Sequence, residues 1–80
     1  MMLAGETTHY LDKIDVAIIM TSRALKVGDT LLIEGEECIF TQQIDEMQID
    51  RKPVKRAKKG AHIGLKTTFE AKINGKVYKV

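Results

Sequence analysis

The densest concentration of charge in this sequence lies in residues 51–59, which we call the basic segment. Six of its nine residues are cationic: Arg51, Lys52, Lys55, Arg56, Lys58 and Lys59. Val54 and Ala57 interrupt the charges and are expected to hold the segment against a core, so that the cations project outward. Clustered cations of this kind attract phosphate groups. The sequence therefore predicts a contact surface for RNA or the ribosome, with a solvated loop neutralised by Asp45, Glu46 and Asp50 as the alternative.

Other residues capable of chemistry are scattered along the chain. The single cysteine, Cys38, has no partner for an internal disulfide and is predicted to be a small buried or half-buried hydrophobe. His9 and His62 have no third ligand at a metal-like spacing, so structural or surface roles are expected. Asp45 and Glu46 are adjacent on a predicted strand and would point to opposite faces. The sequence thus predicts no catalytic residue, no metal, no cofactor and no enzymatic activity.

Nucleotide binding and membrane insertion are not expected either. No Gly-x-x-x-x-Gly-Lys-Ser/Thr phosphate loop occurs in the chain. The longest apolar run, Val16 to Met20, is far shorter than the roughly 20 residues that a spanning helix needs. The first residues lack the basic start and apolar core of a signal peptide. These observations predict a soluble, cytoplasmic protein.

Charge is divided unevenly between the two parts of the chain. Residues 1–50 hold three basic and ten acidic side chains, a net −7, whereas residues 51–80 hold ten basic and one acidic, a net +9. Such a division predicts either a binding face or two patches that meet in the fold.

Short strands joined by tight turns must position these residues. Strands are predicted over Met2–Tyr10, Ile14–Met20 and Thr30–Glu34, then over residues 38–50 with a bulge or sharp coil near Asp45-Glu46, and over Ala61–Thr67. In the second strand, Val16, Ile18 and Met20 share one face, although Ala17 and Ile19 on the other are apolar too. Only residues 51–60 do not resemble a strand, and a helical turn or compact loop is expected there.

Turn residues separate the strands. The predicted turn positions are Gly28, Asp29, Gly35, Gly60, Asn74 and Gly75. Asn74-Gly75 is the strongest hairpin pattern, because a type I′ turn needs φ > 0 twice. It predicts a terminal hairpin between residues 69–73 and 76–80. The whole pattern predicts one all-β domain over residues 1–80, a small antiparallel β-barrel of six to seven strands.

Several short motifs in a fixed order resemble a known family. They include Leu25-Lys26-Val27-Gly28-Asp29, Lys52-Pro53-Val54, Gly60-Ala61-His62-Ile63-Gly64-Leu65 and Val77-Tyr78-Lys79-Val80. This order resembles domain 2 of translational GTPases such as elongation factor Tu, and more closely the small translation elongation factor-like proteins. The resemblance implies a domain 2-like barrel of six to seven strands. Together with the basic segment, it predicts a non-catalytic module that binds RNA or the translation machinery.

The barrel also resembles the C-terminal region of collagenase-like peptidases, several relatives of which act in RNA modification. This second resemblance implies the alternative function, a protein-interaction module or accessory subunit that docks on such an enzyme. The partner is therefore expected to be RNA, the ribosome or a protein, and not a membrane.

Overall fold

Ten short strands make up most of the chain. The computed structural model describes residues 1–80. The strands are β1 (Met2–Leu11), β2 (Val16–Thr21), β3 (Leu25–Lys26), β4 (Thr30–Glu34), β5 (Ile39–Gln43), β6 (Met47–Ile49), β7 (Lys52–Val54), β8 (Arg56–Ala57), β9 (His62–Lys66) and β10 (Lys76–Lys79).

Eight of the strands form one antiparallel sheet that curls around the core. Its order is β5-β4-β10-β1-β2-β9-β6-β7, and β3 pairs separately with β8. The prediction of an all-β, antiparallel fold is confirmed. The strand count differs from the predicted six to seven, because tight turns divide residues 38–59 into four short strands. The outermost strands of the large sheet, β5 and β7, do not pair with each other.

The core is built from the inward face of the curled sheet. It contains fourteen buried apolar residues: Ala4, Ala17, Ile19, Leu25, Leu31, Ile33, Phe40, Ile44, Met47, Ala57, Ile63, Leu65, Ala71 and Val77. On β2 the inward residues are Ala17 and Ile19, which are fully buried. Val16, Ile18 and Met20 share the other face, as predicted, but that face is the outer one and Met20 is 47% exposed. Because both faces of β2 are apolar, alternation alone could not choose between them.

Gly5 lies where β1 crosses very close to β2. The pairing register of β1 with β10 shifts between Leu3 and Gly5. A Cβ atom at Gly5 would lie 2.6 Å from the carbonyl oxygen of Met20, which is shorter than a van der Waals contact. A side chain at this position would therefore force β1 and β2 apart.

The turn at Gly28-Asp29 forms as predicted. Gly28 has φ +99°, a conformation that L side chains rarely adopt. Asp29 accepts a hydrogen bond from the backbone N–H of Lys26 at 2.9 Å through Oδ2, which closes the turn between β3 and β4. Gly60, with φ +85°, also lies in a turn, whereas Gly35 pairs with Ala71 in an isolated β-bridge just before the bend at Glu36-Glu37.

The terminal hairpin predicted at Asn74-Gly75 is wrong. Asn74 does have φ +66°, but residues 69–73 form no strand beyond an isolated bridge between Ala71 and Gly35. The loop is instead fixed to β1, since Asn74 donates to the carbonyl of Thr7 and Thr7 donates to that of Gly75. After this loop, β10 inserts between β1 and β4.

The helical turn or loop expected in the basic segment is also wrong. Residues 52–54 and 56–57 are the strands β7 and β8. Asp50 and Arg51, with φ +52° and +65°, form the two-residue turn between β6 and β7. Pro53 is tolerated because β7 is an edge strand.

Two further predictions concern residues 38–50. Where a bulge or sharp coil is predicted near Asp45-Glu46, the chain breaks between β5 and β6, and Ile44 and Met47 are buried on either side of the break. Cys38 was expected to be buried or half-buried, and this is wrong: it lies exposed in the bend before β5. A two-residue acidic run, Glu36-Glu37, precedes it and keeps this bend in solvent.

Candidate functional site

The cations of the basic segment are exposed and form no ion pair within the chain. The two salt bridges of the structure join Lys76 to Glu6 at 2.6 Å and Lys79 to Asp29 at 3.6 Å. No carboxylate pairs with Arg51, Lys52, Lys55, Arg56, Lys58 or Lys59. The hydrogen bond from Lys76 to Glu6 raises the pKa of the Lys76 ammonium above its ordinary value of 10.5.

Two residues of the basic segment, Arg56 and Lys58, line a cavity together with residues that are distant in the chain. In the β3–β8 pair, Lys26 lies directly opposite Arg56. An open cavity of about 490 Å³ adjoins this pair and the end of β10. We call it the basic groove; its lining residues are Ala24, Leu25, Lys26, Asp29, Arg56, Ala57, Lys58 and Lys79.

Four cations and one carboxylate set the charge of the basic groove. Asp29 is 8% exposed, and its Oδ2 atom is engaged by the Lys26 N–H and by the ammonium of Lys79. Lys26, Arg56 and Lys58 have no carboxylate partner. The basic groove therefore carries a net positive charge of three, and anionic groups are its natural ligands.

Sequence reasoning found Arg56 and Lys58 but missed Lys26 and Lys79. These two lysines are isolated among apolar residues in the sequence, and only the strand pairing brings them to Arg56. Arg51 and Lys52 lie instead at the β6–β7 hairpin, and neither lines the basic groove.

A second surface lies on the outer face of the sheet. Three side chains of β2 point outward: Val16, Ile18 and Met20. On the neighbouring strand β1, Leu11 pairs with Val16. We call these four residues the apolar strip. Leu11 and Met20 are 44% and 47% exposed, and Val16 and Ile18 are half-buried.

Gly64 keeps the surface beside the apolar strip flat. It lies opposite Ile18 on β9, and atoms of Val16 and Ile18 come within 4 Å of where its Cβ would be. Because no side chain rises there, the methyl groups of β2 spread over the backbone of β9. Charged and polar residues, among them Glu6, His9, His62 and Lys66, border the apolar strip.

A third feature is the cleft between β5 and β9, where the sheet is not joined by a backbone ladder. The Gln42 amide spans this cleft: its Nε2 donates to the carbonyl of Lys66 and its Oε1 accepts from the N–H of Thr68, both at 2.9 Å. Asp45 and Glu46 line the same cleft and are exposed. The Gln42 side chain thus bridges the two sides of the cleft.

The histidines do not come together with other ligands. His9 contacts Thr8 Oγ1 at 3.1 Å through Nδ1, and both His9 and His62 are exposed. The structure contains no group of three or more His, Cys, Asp or Glu side chains placed to hold a metal ion. It also contains no helix of the length and apolarity that crossing a bilayer requires.

Comparison with known proteins identifies relatives of this chain. No family model matches the sequence. An uncharacterized protease of Methanocaldococcus jannaschii is 36% identical over 75 residues, which are 92% of this chain and 18% of that protein. The chain thus spans about a fifth of the length of the curated relative that it matches.

Solved structures share the fold over its whole length. Two crystal structures of the C-terminal domain of a Geobacillus thermoleovorans protein described as a U32 peptidase match with TM-scores of 0.90 and 0.88. Each is 18% identical in sequence and covers 99% of this chain; the match covers 100% and 92% of those chains.

These matches correct the family resemblance drawn from the sequence. The relatives are a protease and a peptidase C-terminal domain, so the assignment to translation elongation factor-like proteins, with its translation function, is wrong. The motifs behind it, a Gly-Asp turn and short alternating strands, are common in small antiparallel sheets and do not distinguish one family from another. The second resemblance, to the C-terminal region of collagenase-like peptidases, is the one that the comparisons support. The role of the six basic-segment cations as a binding surface stays a prediction.

Proposed function

We propose that this chain is a non-catalytic accessory module that docks on the catalytic body of a U32-type peptidase. The observation that carries the proposal is its similarity to about a fifth of a longer protease, together with its fold, which is that of a peptidase C-terminal domain. A domain at the end of such a protein needs a surface that meets the remainder.

The apolar strip is the surface that best suits this docking. Its four side chains form a flat patch over Gly64, and charged residues border it. Interfaces typically have this anatomy, with an apolar centre and a polar rim that stays partly hydrated. Exposed apolar residues on a sheet face cost little individually, but a contiguous patch marks an interaction site.

Oxidation footprinting tests the docking surface. The chain is treated with dilute hydrogen peroxide alone and after mixing with the U32-type peptidase of the source organism, and sulfoxide formation is followed by mass spectrometry. We expect Met20 to be oxidised several-fold more slowly in the mixture, because thioether oxidation follows exposure. Met2 is an internal control, since it is 48% exposed against 47% for Met20 and lies outside the apolar strip.

A matched pair of variants completes the test. Leu11→Glu/Met20→Glu should abolish association with the peptidase, whereas Ile39→Glu/Ile73→Glu, which changes two apolar residues elsewhere that are at least as exposed, should not. Equal oxidation of Met20 in the free and mixed samples, or equal association of the two variants, would contradict docking through the apolar strip.

A further inference from the structure

We propose that the basic groove binds acidic side chains of an extended polypeptide. This inference goes beyond docking, because the basic groove shares no residue with the apolar strip. It concerns the binding of another polypeptide by the module once the module has docked on the peptidase.

The pairing of Lys26 with Arg56 is the first support. Two like charges directly opposite each other in an antiparallel pair destabilise a sheet. Neither cation forms a salt bridge with a carboxylate of the chain. An anionic group bound across β3 and β8 would contact both cations at once and convert this repulsion into attraction.

The rest of the lining favours a polypeptide over a nucleic acid. The chain's aromatic residues, Tyr10, Phe40, Phe69 and Tyr78, all lie outside the basic groove, whereas proteins that bind single-stranded nucleic acid stack bases on aromatic rings. The Asp29 carboxylate in the lining can accept hydrogen bonds from the backbone N–H groups of a polypeptide, and a phosphate backbone has no such donors.

The apolar part of the lining fits the same ligand. Leu25 and Ala57 form the floor beside the cations and are buried, being 2% and 4% exposed. Ala24 adds a small apolar group at the rim. A strand-like peptide with alternating acidic and small apolar side chains would place one set on the cations and the other on this floor.

Fluorescence anisotropy with labelled probes tests the inference. The full chain is titrated with a short peptide of alternating Glu and Ala, a matched peptide of Gln and Ala, and a single-stranded oligouridylate of similar length. We expect the Glu peptide to bind at least about tenfold more tightly than the other two probes, and its affinity to fall with added salt. Tighter binding of the oligouridylate would overturn the inference in favour of a nucleic acid, and so would absence of Glu-peptide binding up to about 1 mM.

Variants locate the binding. Lys26→Glu/Arg56→Glu should weaken binding of the Glu peptide by about tenfold or more. Lys13→Glu/Lys72→Glu makes the same change in net charge at exposed turn positions and should leave the affinity nearly unchanged. Equal affinities of the two double variants would show that only net charge matters and would overturn the assignment.

Two measurements distinguish peptide binding in the basic groove from loss of folding and from self-association. Lys26→Gln/Arg56→Gln removes the repulsion without reversing charge, so its melting temperature should not fall while its affinity for the Glu peptide does. Sedimentation equilibrium of the wild type tests whether the exposed Glu36-Glu37 turn of a second copy fills the basic groove. Self-association that is lost in Lys26→Gln/Arg56→Gln would overturn the assignment to a separate polypeptide.

Discussion

The Gln42 side chain supplies hydrogen bonds between two strands that lack a backbone ladder. Between β5 and β9 the sheet has no backbone ladder, yet the carbonyl of Lys66 and the N–H of Thr68 both have a partner in the Gln42 amide. A primary amide carries one donor and one acceptor edge, as a peptide group does. Gln42 therefore extends the hydrogen bonding of the sheet across the cleft.

Removing this amide should loosen the cleft. We expect Gln42→Leu to lower the free energy of unfolding by about 1 kcal/mol, because two hydrogen bonds are lost at a site that water can partly reach. For a domain of this size, that corresponds to a fall in melting temperature of about 4–8 °C. Urea unfolding measures the change.

Gln48→Leu is the matched control for this substitution. Gln48 is exposed on β6 and its side chain makes no hydrogen bond, so its replacement should change stability by less than about 0.5 kcal/mol. Equal effects of the two substitutions would show that the Gln42 amide does not hold the cleft. The sequence could not predict this role, since a Gln in a strand has no pattern that reveals what lies opposite it.

At the scale of elements, two loops show how turn chemistry and tertiary structure compete. Asn74-Gly75 has the preferred sequence of a two-residue hairpin, but the loop packs instead on Thr7 and Glu34. Asp50-Arg51 lacks glycine, yet both residues have φ > 0 between the paired residues Ile49 and Lys52. The sequence predicted most strands and the Gly28-Asp29 turn, but not which strands pair, because pairing depends on contacts far apart in the chain.

A substitution in the Asp50-Arg51 turn should stabilise the protein. Arg51 has φ +65°, and a left-handed conformation costs a non-glycine residue about 1–2 kcal/mol. We expect Arg51→Gly to raise the free energy of unfolding by about 0.5 kcal/mol, the remainder being offset by the greater freedom of glycine in the unfolded chain. Thermal unfolding followed by circular dichroism checks this.

The neighbouring residue provides the contrast. Lys52→Gly removes a side chain in β7, where no left-handed conformation is needed, and should destabilise the domain by about 0.5–1 kcal/mol. If both substitutions destabilised the protein, the left-handed conformation of Arg51 would not be lowering its stability. Neither residue lines the basic groove, so peptide binding should survive both.

At the scale of the whole molecule, the last strand is a central one. β10 lies between β1 and β4, and Val77 in it is fully buried. The Lys76–Glu6 ion pair adds a link between residues 70 positions apart. Sequence patterns predicted that β10 is a strand but assigned it to a local hairpin. They also located the basic segment, but not the basic groove, because only the fold brings Lys26 and Lys79 near Arg56.

Deleting residues 76–80 should therefore unfold the protein. We expect the truncated chain to lose its β-sheet circular dichroism and its cooperative melting, since β1 and β4 lose their shared neighbour and the core loses Val77. Deleting only Val80, which is 65% exposed and donates one hydrogen bond to Thr30, should leave a cooperative transition. A folded truncation at residue 75 would show that β10 is dispensable.

The central place of β10 also constrains how the protein is made. During synthesis the chain leaves the ribosome from its N-terminus, so β1 and β4 emerge long before residues 76–79 exist to join them. Until then the sheet is split into two parts, and the facing edges of β1 and β4 stay open to pairing with other chains. Folding must therefore wait for the end of this domain to be released, and a slow or interrupted release would lengthen the period in which nascent copies can aggregate.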